Sequence, residues 1–239
     1  MTANHTRTPL DVIELLDRRV KALEAARAAG AQYGLCTSTT HPANPTTGLQ
    51  ILETDTGLRA YWSGSAWMYP PQRIGQKLLT ASAPSITLAV PTGPAFSTLR
   101  VAWSARSDYS GGSATYMYLQ LNADTNTTHY DWQINQASGS TSSPGASPSA
   151  VGQIEVGTMP AATATSGYVG GGELTIANAS GTTFKAVSAH STSMESATSG
   201  FSGTYGGDWL QSVPISSITL APQFGNFVAG TAAYLYGET

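Results

Sequence analysis

The sequence has little charge, a single cysteine and no long apolar run. Asp, Glu, Lys and Arg make up 10% of its 239 residues, and the formal net charge is −3. A nucleic-acid-binding chain would carry a basic stripe, and a chain attracted to an anionic membrane surface would carry basic clusters. We therefore expect neither kind of partner. The lone Cys36 excludes an intramolecular disulfide, and we interpret it as a small, half-buried linker residue.

Membrane insertion and secretion are also not expected. No apolar run approaches the roughly 20 residues that a membrane-spanning helix needs. The first residues, MTANHTRTPLDV, have no basic region followed by an apolar region, so we expect no secretory signal. The polar character comes instead from Ser, Thr, Gly and Asn, a composition typical of β-rich fibre and capsid proteins.

Motifs for catalysis and for metal binding are missing. The GxSxG pattern of serine hydrolases is absent, and the histidines are scattered singly at positions 5, 41, 129 and 190. Residues 122–126, NADTN, alternate oxygen-bearing side chains like a calcium loop, but lack its later Gly and Glu, which indicates a turn. Glycosidases need two paired carboxylates, and no acid here sits in such a motif. We expect a protein that is not an enzyme and has no cofactor or metal.

An amphipathic helix is predicted near the N-terminus, beginning at the N-cap Thr8 and ending at Gly30. Its apolar residues follow an a-d-a-d spacing: Ile13, Leu16, Val20 and Leu23. Two interpretations compete, a helix lying on its own domain and a short coiled coil joining three chains. The narrow apolar stripe favours the coiled coil.

A small β-meander is predicted after a proline-containing linker, in which His41 is interpreted as a solvated loop residue. The predicted strands are Gln50–Thr54, Leu58–Trp62 and Ser65–Met68, with turns at Gly57 and Gly64. A segment of this size is not stable alone in water. Its aromatic side chains have no evident partner within it, so we expect a homotrimer interface at Tyr61, Trp62 and Trp67, with Tyr69 exposed beside them.

The remainder of the chain predicts a two-sheet antiparallel sandwich, of the jelly-roll kind. About nine segments alternate apolar and polar residues, and no helix is evident between them. Residues 137–150, ASGSTSSPGASPSA, are expected to form a mobile loop or a segment ordered only against a neighbour. Phe224, Phe227, Tyr234 and Tyr236 are expected in core and intersubunit packing.

The predicted fold class is therefore mainly β, and the chain divides into four parts. These are residues 1–30 as an arm and trimerising coiled-coil helix, 31–47 as a linker, 48–71 as an interlocking β-meander and 72–239 as the C-terminal sandwich. Pro70-Pro71 marks the clearest boundary.

Two loops combine an aromatic side chain with an acid, as a sugar-binding site requires. The first is the glycine-rich run with Tyr205, Asp208 and Trp209, and the second is Asp108-Tyr109 before Gly111-Gly112. Asn126, His129 and Asp131 are candidates for a polar rim. The alternative is that Trp209 and Tyr109 close the ends of the sandwich.

The meander also resembles a family. The spacing of its Pro, Gly, Thr, Asp and Trp residues is similar to that of tail-associated proteins of phages that infect actinobacteria, as is the final AGTAAYLYG. The matching residues are Pro45, Gly48, Thr54, Asp55, Thr56, Gly57, Trp62, Gly64 and Trp67.

The resemblance implies a minor tail or receptor-binding protein of the virion, made in the host bacterial cytoplasm. Its arm and helix would dock on other virion proteins, and its sandwich would contact a host-surface glycan. Two alternatives share the architecture: a head fibre or capsid decoration protein, and a cell-envelope depolymerase.

Overall fold

The computed structural model describes residues 33–138, 141–146 and 152–239, in which the secondary structure is strand without helix. The chain forms two compact units, divided between Met68 and Tyr69. The predicted N-terminal helix, with Ile13, Leu16, Val20 and Leu23, lies outside the described residues. The strands are β1 (Tyr33–Cys36), β2 (Gln50–Glu53), β3 (Arg59–Trp62), β4 (Trp67–Met68), β5 (Gln72–Leu78), β6 (Ile86–Ala89), β7 (Thr98–Ala105), β8 (Ala114–Leu121), β9 (Tyr130–Ser138), β10 (Thr141–Ala146), β11 (Ile154–Pro160), β12 (Gly170–Ala177), β13 (Lys185–Met194), β14 (Gly200–Trp209), β15 (Ser217–Pro222) and β16 (Ala232–Glu238).

The first unit is a four-stranded sheet with the order β1-β2-β3-β4. β2, β3 and β4 form the predicted meander, and β1 adds to it a parallel strand. β1 was predicted to be part of the linker, because YGLC has no alternation that marks a strand. Residues 37–49 connect β1 to β2, and a parallel connection needs about a dozen residues.

His41 is not the solvated loop residue that the sequence suggested. Its side chain is 18% exposed, and its Nε2 lies 2.7 Å from Oε1 of Glu53, whose side chain is fully buried. The imidazole ring also packs on the Trp67 indole, with centroids 5.0 Å apart. His41 therefore joins the loop after β1 to the sheet, because a buried carboxylate is stable only when its oxygens are satisfied.

The Thr-Asp-Thr-Gly run has a structural role in this unit. The Asp55 carboxylate accepts hydrogen bonds from Ser38 N at 2.9 Å and from Ser38 Oγ at 2.7 Å. These bonds hold the pKa of Asp55 below its ordinary value. Thr56 Oγ1 donates to Glu53 Oε2, and Gly57 has a φ of +71° that only glycine adopts readily. The run thus ties residues 37–41 to the β2–β3 hairpin.

The aromatic residues of the first unit lie on opposite faces of its sheet. Trp62 and Trp67 are a cross-strand pair with ring centroids 5.5 Å apart, and both are half-buried. Tyr61 points to the other face and is 39% exposed. The expectation that these rings lack partners within the unit is therefore wrong for the two tryptophans. Tyr69, also expected to be exposed, is buried in the second unit against Phe96.

Replacing His41 should weaken the first unit through two separable contacts. We expect His41→Ala to lower its free energy of unfolding by about 1–3 kcal/mol, the usual penalty for removing a partner from a buried polar group. His41→Phe keeps a ring against Trp67 but loses the bond to Glu53, so it should recover only part of the loss. Amide hydrogen exchange at Thr54 and Gly57 measures the effect, and wild-type protection in His41→Phe would contradict it.

The second unit has a sandwich-like arrangement of an eight-stranded and a four-stranded sheet. Their orders are β10-β9-β14-β13-β12-β7-β16-β5 and β11-β8-β15-β6, and every pairing is antiparallel. Each strand of the smaller sheet is preceded and followed in sequence by strands of the larger one. The chain therefore crosses between the sheets repeatedly.

Three strands of this unit were not predicted, namely β5, β10 and β14. β10 belongs to the low-complexity run that was expected to be a loop, and it pairs with β9 instead. β14 contains Tyr205, Asp208 and Trp209, so the glycine-rich loop proposed there is wrong. Its Gly207 faces the Asp131 carbonyl oxygen, which would lie 2.4 Å from an added Cβ. Glycine is thus needed for close packing within the sheet and not for a turn.

The core follows the predicted alternation. Leu99, Val101 and Trp103 on β7 point inward, as do Leu119 and Leu121 on β8, and all are at most 4% exposed. A hydrogen bond of 3.1 Å from Thr158 N on β11 to Ser191 Oγ on β13 links the two sheets.

The aromatic residues near the C-terminus differ in their surroundings. Phe227 is fully buried and belongs to the core, as expected. Phe224, by contrast, is 48% exposed. Tyr234 and Tyr236 are half-buried on β16, where the Tyr236 ring lies under the Arg100 guanidinium at 4.4 Å.

Candidate functional site

A shallow groove of about 490 Å³ lies along β9 and β14, on the face of the larger sheet that is turned away from the core. β9 contributes the exposed Asp131, Gln133 and Asn135, and β14 contributes Thr204 and Asp208. In the antiparallel register Asp131 lies opposite Asp208, and Asn135 lies opposite Thr204. Acids therefore occupy one end of the groove, and an amide with a hydroxyl occupies the other.

The groove exists because the middle position on β14 has no side chain. Gly206 lies opposite Gln133, and an added Cβ there would meet nothing nearer than the Val187 carbonyl oxygen at 3.9 Å. Larger residues on both strands point the other way, since neighbours on a strand alternate between faces. The inward side chains include Trp132, which is 6% exposed.

Asp131 and Asp208 form a directly opposed pair of like charges, an arrangement that usually destabilises a sheet. Both side chains are exposed, so water screens the repulsion. Their oxygens are available to accept hydrogen bonds from a hydroxyl-rich ligand.

Tyr205 and Trp209 support the groove from beneath and are not on its surface. Tyr205 is 3% exposed and Trp209 is 1% exposed, so neither can stack on a ligand. Burial raises the pKa of Tyr205, whose hydroxyl shares a 3.2 Å hydrogen bond with Thr158 Oγ1. Of the three candidates from this stretch, the structure leaves only Asp208 accessible.

Asp124 anchors the end of the sheet beside the groove. Its Oδ2 accepts hydrogen bonds from Trp209 Nε1 at 2.8 Å and from His129 Nδ1 at 2.7 Å. Burial acts to raise the pKa of Asp124, but these bonds and one from Asn126 N outweigh it, so the pKa lies below its ordinary value. Asp124 is thus held as a carboxylate that fixes the Trp209 indole.

The 122–126 segment is a turn, as the sequence indicated. Asn122 and Ala123 both have positive φ, and Asn126 N donates to Asp124 Oδ1 within the turn. Among the described residues, no group of three or more potential ligands is placed to hold a metal ion.

Asp108 and Tyr109 lie together in a loop, where Asp108 is committed to holding another loop in place. Its Oδ1 accepts from Asn226 N at 2.7 Å, and its Oδ2 accepts from Asn226 Nδ2 and Ser82 Oγ, each at 3.2 Å. The Asn226 bonds hold the pKa of Asp108 below its ordinary value. Asp108 is therefore a weaker candidate for ligand contact than Asp208.

The Tyr109 ring is stacked on Phe224, with centroids 5.0 Å apart and planes inclined by 29°. Phe224 keeps an exposed surface in this pair, so it is the accessible aromatic of the region. Neither Asp108 nor Tyr109 lines the groove between β9 and β14. The structure therefore divides the five candidate residues among a groove, its support and a separate loop.

Four groove residues were not predicted from the sequence: Gln133, Asn135, Thr204 and Gly206. Alternation of apolar and polar residues within β9 places Asp131 and Gln133 on one face. It could not place that face beside β14, since β14 itself was interpreted as a loop. Phe224 was missed because its pairing with Tyr109 joins distant parts of the chain.

The sequence matches no known family model and no curated protein. No helix in the described ranges is long and apolar enough to cross a membrane.

Proposed function

We propose that the chain is a structural protein of a bacteriophage particle, a minor tail or receptor-binding protein that attaches to a host-surface glycan. The groove between β9 and β14 is the observation that carries the attachment role. The resemblance of the meander to phage tail-associated proteins and the mainly β architecture support the virion role.

The groove presents the hydrogen-bonding groups that sugars require. Its exposed side chains offer carboxylates, two amides and a hydroxyl along one open channel. Asp, Asn and Gln side chains can accept or donate to neighbouring sugar hydroxyls. The two acids and the net charge of −3 make a polyanion such as nucleic acid a poor ligand.

Filling the groove should weaken attachment without unfolding the protein. Gly206→Leu places a branched side chain in open space, so we expect glycan binding to fall at least about tenfold, equivalent to 1.4 kcal/mol. The matched control is Gly171→Leu on β12, where an added Cβ also meets only one atom, the Trp103 carbonyl oxygen at 3.6 Å. Binding to host envelope preparations is the measurement, and equal binding by both variants would reject the groove.

We further propose that three chains assemble, through a coiled coil of residues 8–29 and through the first unit. Exposed apolar residues on one face of that unit support this: Leu35 is 73% exposed, Leu52 38% and Tyr61 39%. Leu35 pairs with Leu52, and Tyr61 pairs with Gln50, so all three share a face. Trp62 and Trp67, proposed for the same interface, lie on the other face. Linking three weak sites would raise avidity.

Light scattering on the purified chain tests the assembly. We expect a trimer at micromolar concentration, and expect Leu35→Ser with Leu52→Ser to raise its dissociation constant at least about tenfold, since each leucine loses a buried contact. Leu78→Ser is the control, because Leu78 is 62% exposed but belongs to the second unit. A wild-type monomer at that concentration would contradict the proposal.

A cell-envelope depolymerase is the second candidate function, and the opposed Asp131 and Asp208 favour it. Two carboxylates in one cleft are what glycoside hydrolysis requires. Release of soluble sugar from host envelope by the wild type, lost in Asp131→Asn and Asp208→Asn, would establish it. The head fibre or decoration alternative would be established by labelling that places the chain on the head of the intact particle.

A further inference from the structure

We propose that the site is a trough that takes a linear, uncharged glycan chain lying along β14, and not a single terminal sugar. The proposal rests on the glycan-binding function proposed above and adds the form of the ligand. A second cavity, of about 410 Å³, continues the groove along the same strand. The two cavities share Asn135 and Thr204 at their junction.

Small side chains on β14 form the floor of this trough. Between Asp208 and Ser202, the residues of β14 that face away from the core are Gly206 and Thr204. The six steps between the seven residues 202–208, at about 3.3 Å each, give a length of about 20 Å, which exceeds that of one sugar ring. The ligand that matches this shape is therefore a chain.

Polar side chains of the two flanking strands form the walls of the trough. β9 contributes Gln133 and Asn135 on one side, and β13 contributes Ser188, His190 and Thr192 on the other. All five side chains are exposed, so their polar groups are available to a ligand. The pairing of β14 with β9 and β13 places both walls directly beside the floor.

A polypeptide fits this trough poorly. Peptides commonly bind sheets by adding a strand to an edge, where unpaired N–H and C=O groups are free. β14 is paired on both sides, with β9 and β13, and β9 and β13 are themselves paired on their outer sides with β10 and β12. The trough therefore offers side-chain hydroxyls, amides and carboxylates, which suit a ligand rich in hydroxyl groups.

No aromatic platform is present among the described residues of the trough, which makes the length of the glycan chain important. The large rings of Trp132 and Tyr205 are buried on the opposite face of the sheet. Each sugar ring is consequently held by hydrogen bonds alone, and these are individually weak because water competes for the same groups. Successive rings on one chain act together, since binding of the first holds the next nearby.

The charges select an uncharged chain. Asp131 and Asp208 stand at one end of the trough, so a phosphate- or carboxylate-bearing polymer would be repelled there. His190 lies on the wall of the second cavity, and it is the one basic side chain among the residues that line the two cavities.

The test uses the full chain and size-fractionated fragments of an actinobacterial wall polysaccharide, from disaccharide to octasaccharide. We expect affinity to rise at least about tenfold between disaccharide and hexasaccharide, and then to level off. Gly206→Leu blocks the first groove and Ser202→Trp blocks the second cavity, so each variant should lose the gain in affinity with chain length. Thr192→Trp serves as a second block of the second cavity, and circular dichroism confirms folding of each variant.

Gln76→Trp is the control for the tryptophan variants, since Gln76 is exposed on the opposite edge strand, β5. No binding of any fragment by the wild type would overturn both the glycan function and the trough. Equal affinity for every length, or wild-type gain in both Ser202→Trp and Thr192→Trp, would overturn the trough alone. Tighter binding of a phosphate-bearing fragment than of its dephosphorylated form would overturn the selection of an uncharged chain.

Discussion

Glu155→Gln is expected to make the second unit more stable above pH 7 and to remove most of a pH dependence that the wild type shows. Glu155 is 3% exposed, and its Oε1 has no hydrogen-bond partner. Burial raises the pKa of this carboxyl from 4.5 to about 7. The folded protein therefore keeps a proton that the unfolded chain gives up at lower pH.

The direction of the effect follows from which state binds more protons. Below pH 4.5 both states are protonated, and the full stability is present. Between pH 4.5 and about 7 only the folded state keeps the proton, so the free energy of unfolding falls as the pH rises. A shift of this size corresponds to a loss of about 3 kcal/mol. Glutamine cannot ionise, so the variant should not show this loss.

The tyrosines around Glu155 do not ionise in the same pH range. Tyr116, Tyr118 and Tyr205 face Glu155, and the pKa of each is raised by burial, so they remain neutral. The pKa of the buried Glu195 is also raised, and it should leave a smaller residual slope in the variant.

Urea unfolding at a series of pH values measures the effect. Glu173→Gln is the control, because the Glu173 carboxylate is partly exposed and paired with Arg100 at 2.6 Å. That variant should keep the wild-type slope. A wild type equally stable at pH 5 and pH 8 would contradict the role given to Glu155.

Gly207→Ala is expected to be strongly destabilising, whereas Gly206→Ala should be tolerated. An added Cβ on Gly207 would lie 2.4 Å from the Asp131 carbonyl oxygen, 2.9 Å from Trp132 Cβ and 3.1 Å from Ile154 Cγ2. The first two contacts involve backbone or near-backbone atoms that cannot rotate away. Overpacking of this kind usually costs about 1–3 kcal/mol, and more where backbone must move.

The two neighbouring glycines make a matched pair for this experiment. Both lie in β14, and both substitutions reduce the entropy of the unfolded chain by the same amount. Only position 207 brings a clash, so the difference between their melting temperatures isolates it. Similar melting temperatures for the two variants would show that β14 and β9 can separate at no cost.

Much of the fold could be predicted from alternation within single segments. β7, β8 and β9 are rich in β-branched and aromatic residues, and their inward side chains follow a period of two. The same method failed for β14, because Gly203 and Gly207 take core-facing positions where alternation would place large apolar residues. It also failed for β1, whose place in the sheet depends on pairing with β2.

The candidate site was less predictable than the fold. Asp208 was identified because it lies between aromatic residues, yet Tyr205 and Trp209 proved to be core residues on the opposite face of the strand. Asp131 was suggested only as a rim residue, although it lies directly opposite Asp208. Which polar residues share a groove depends on strand pairing, and a local pattern does not contain that information.

The pairing of β5 with β16 has a consequence for how the protein is made. These strands are the first and last of the second unit, and β16 also pairs with β7. Until residues 232–238 have been synthesised, one edge of β7 stays open, so the larger sheet cannot be completed before then. Contacts between such remote residues also slow folding. A chain truncated before residue 232 thus exposes an unpaired strand edge, the kind of surface at which proteins aggregate.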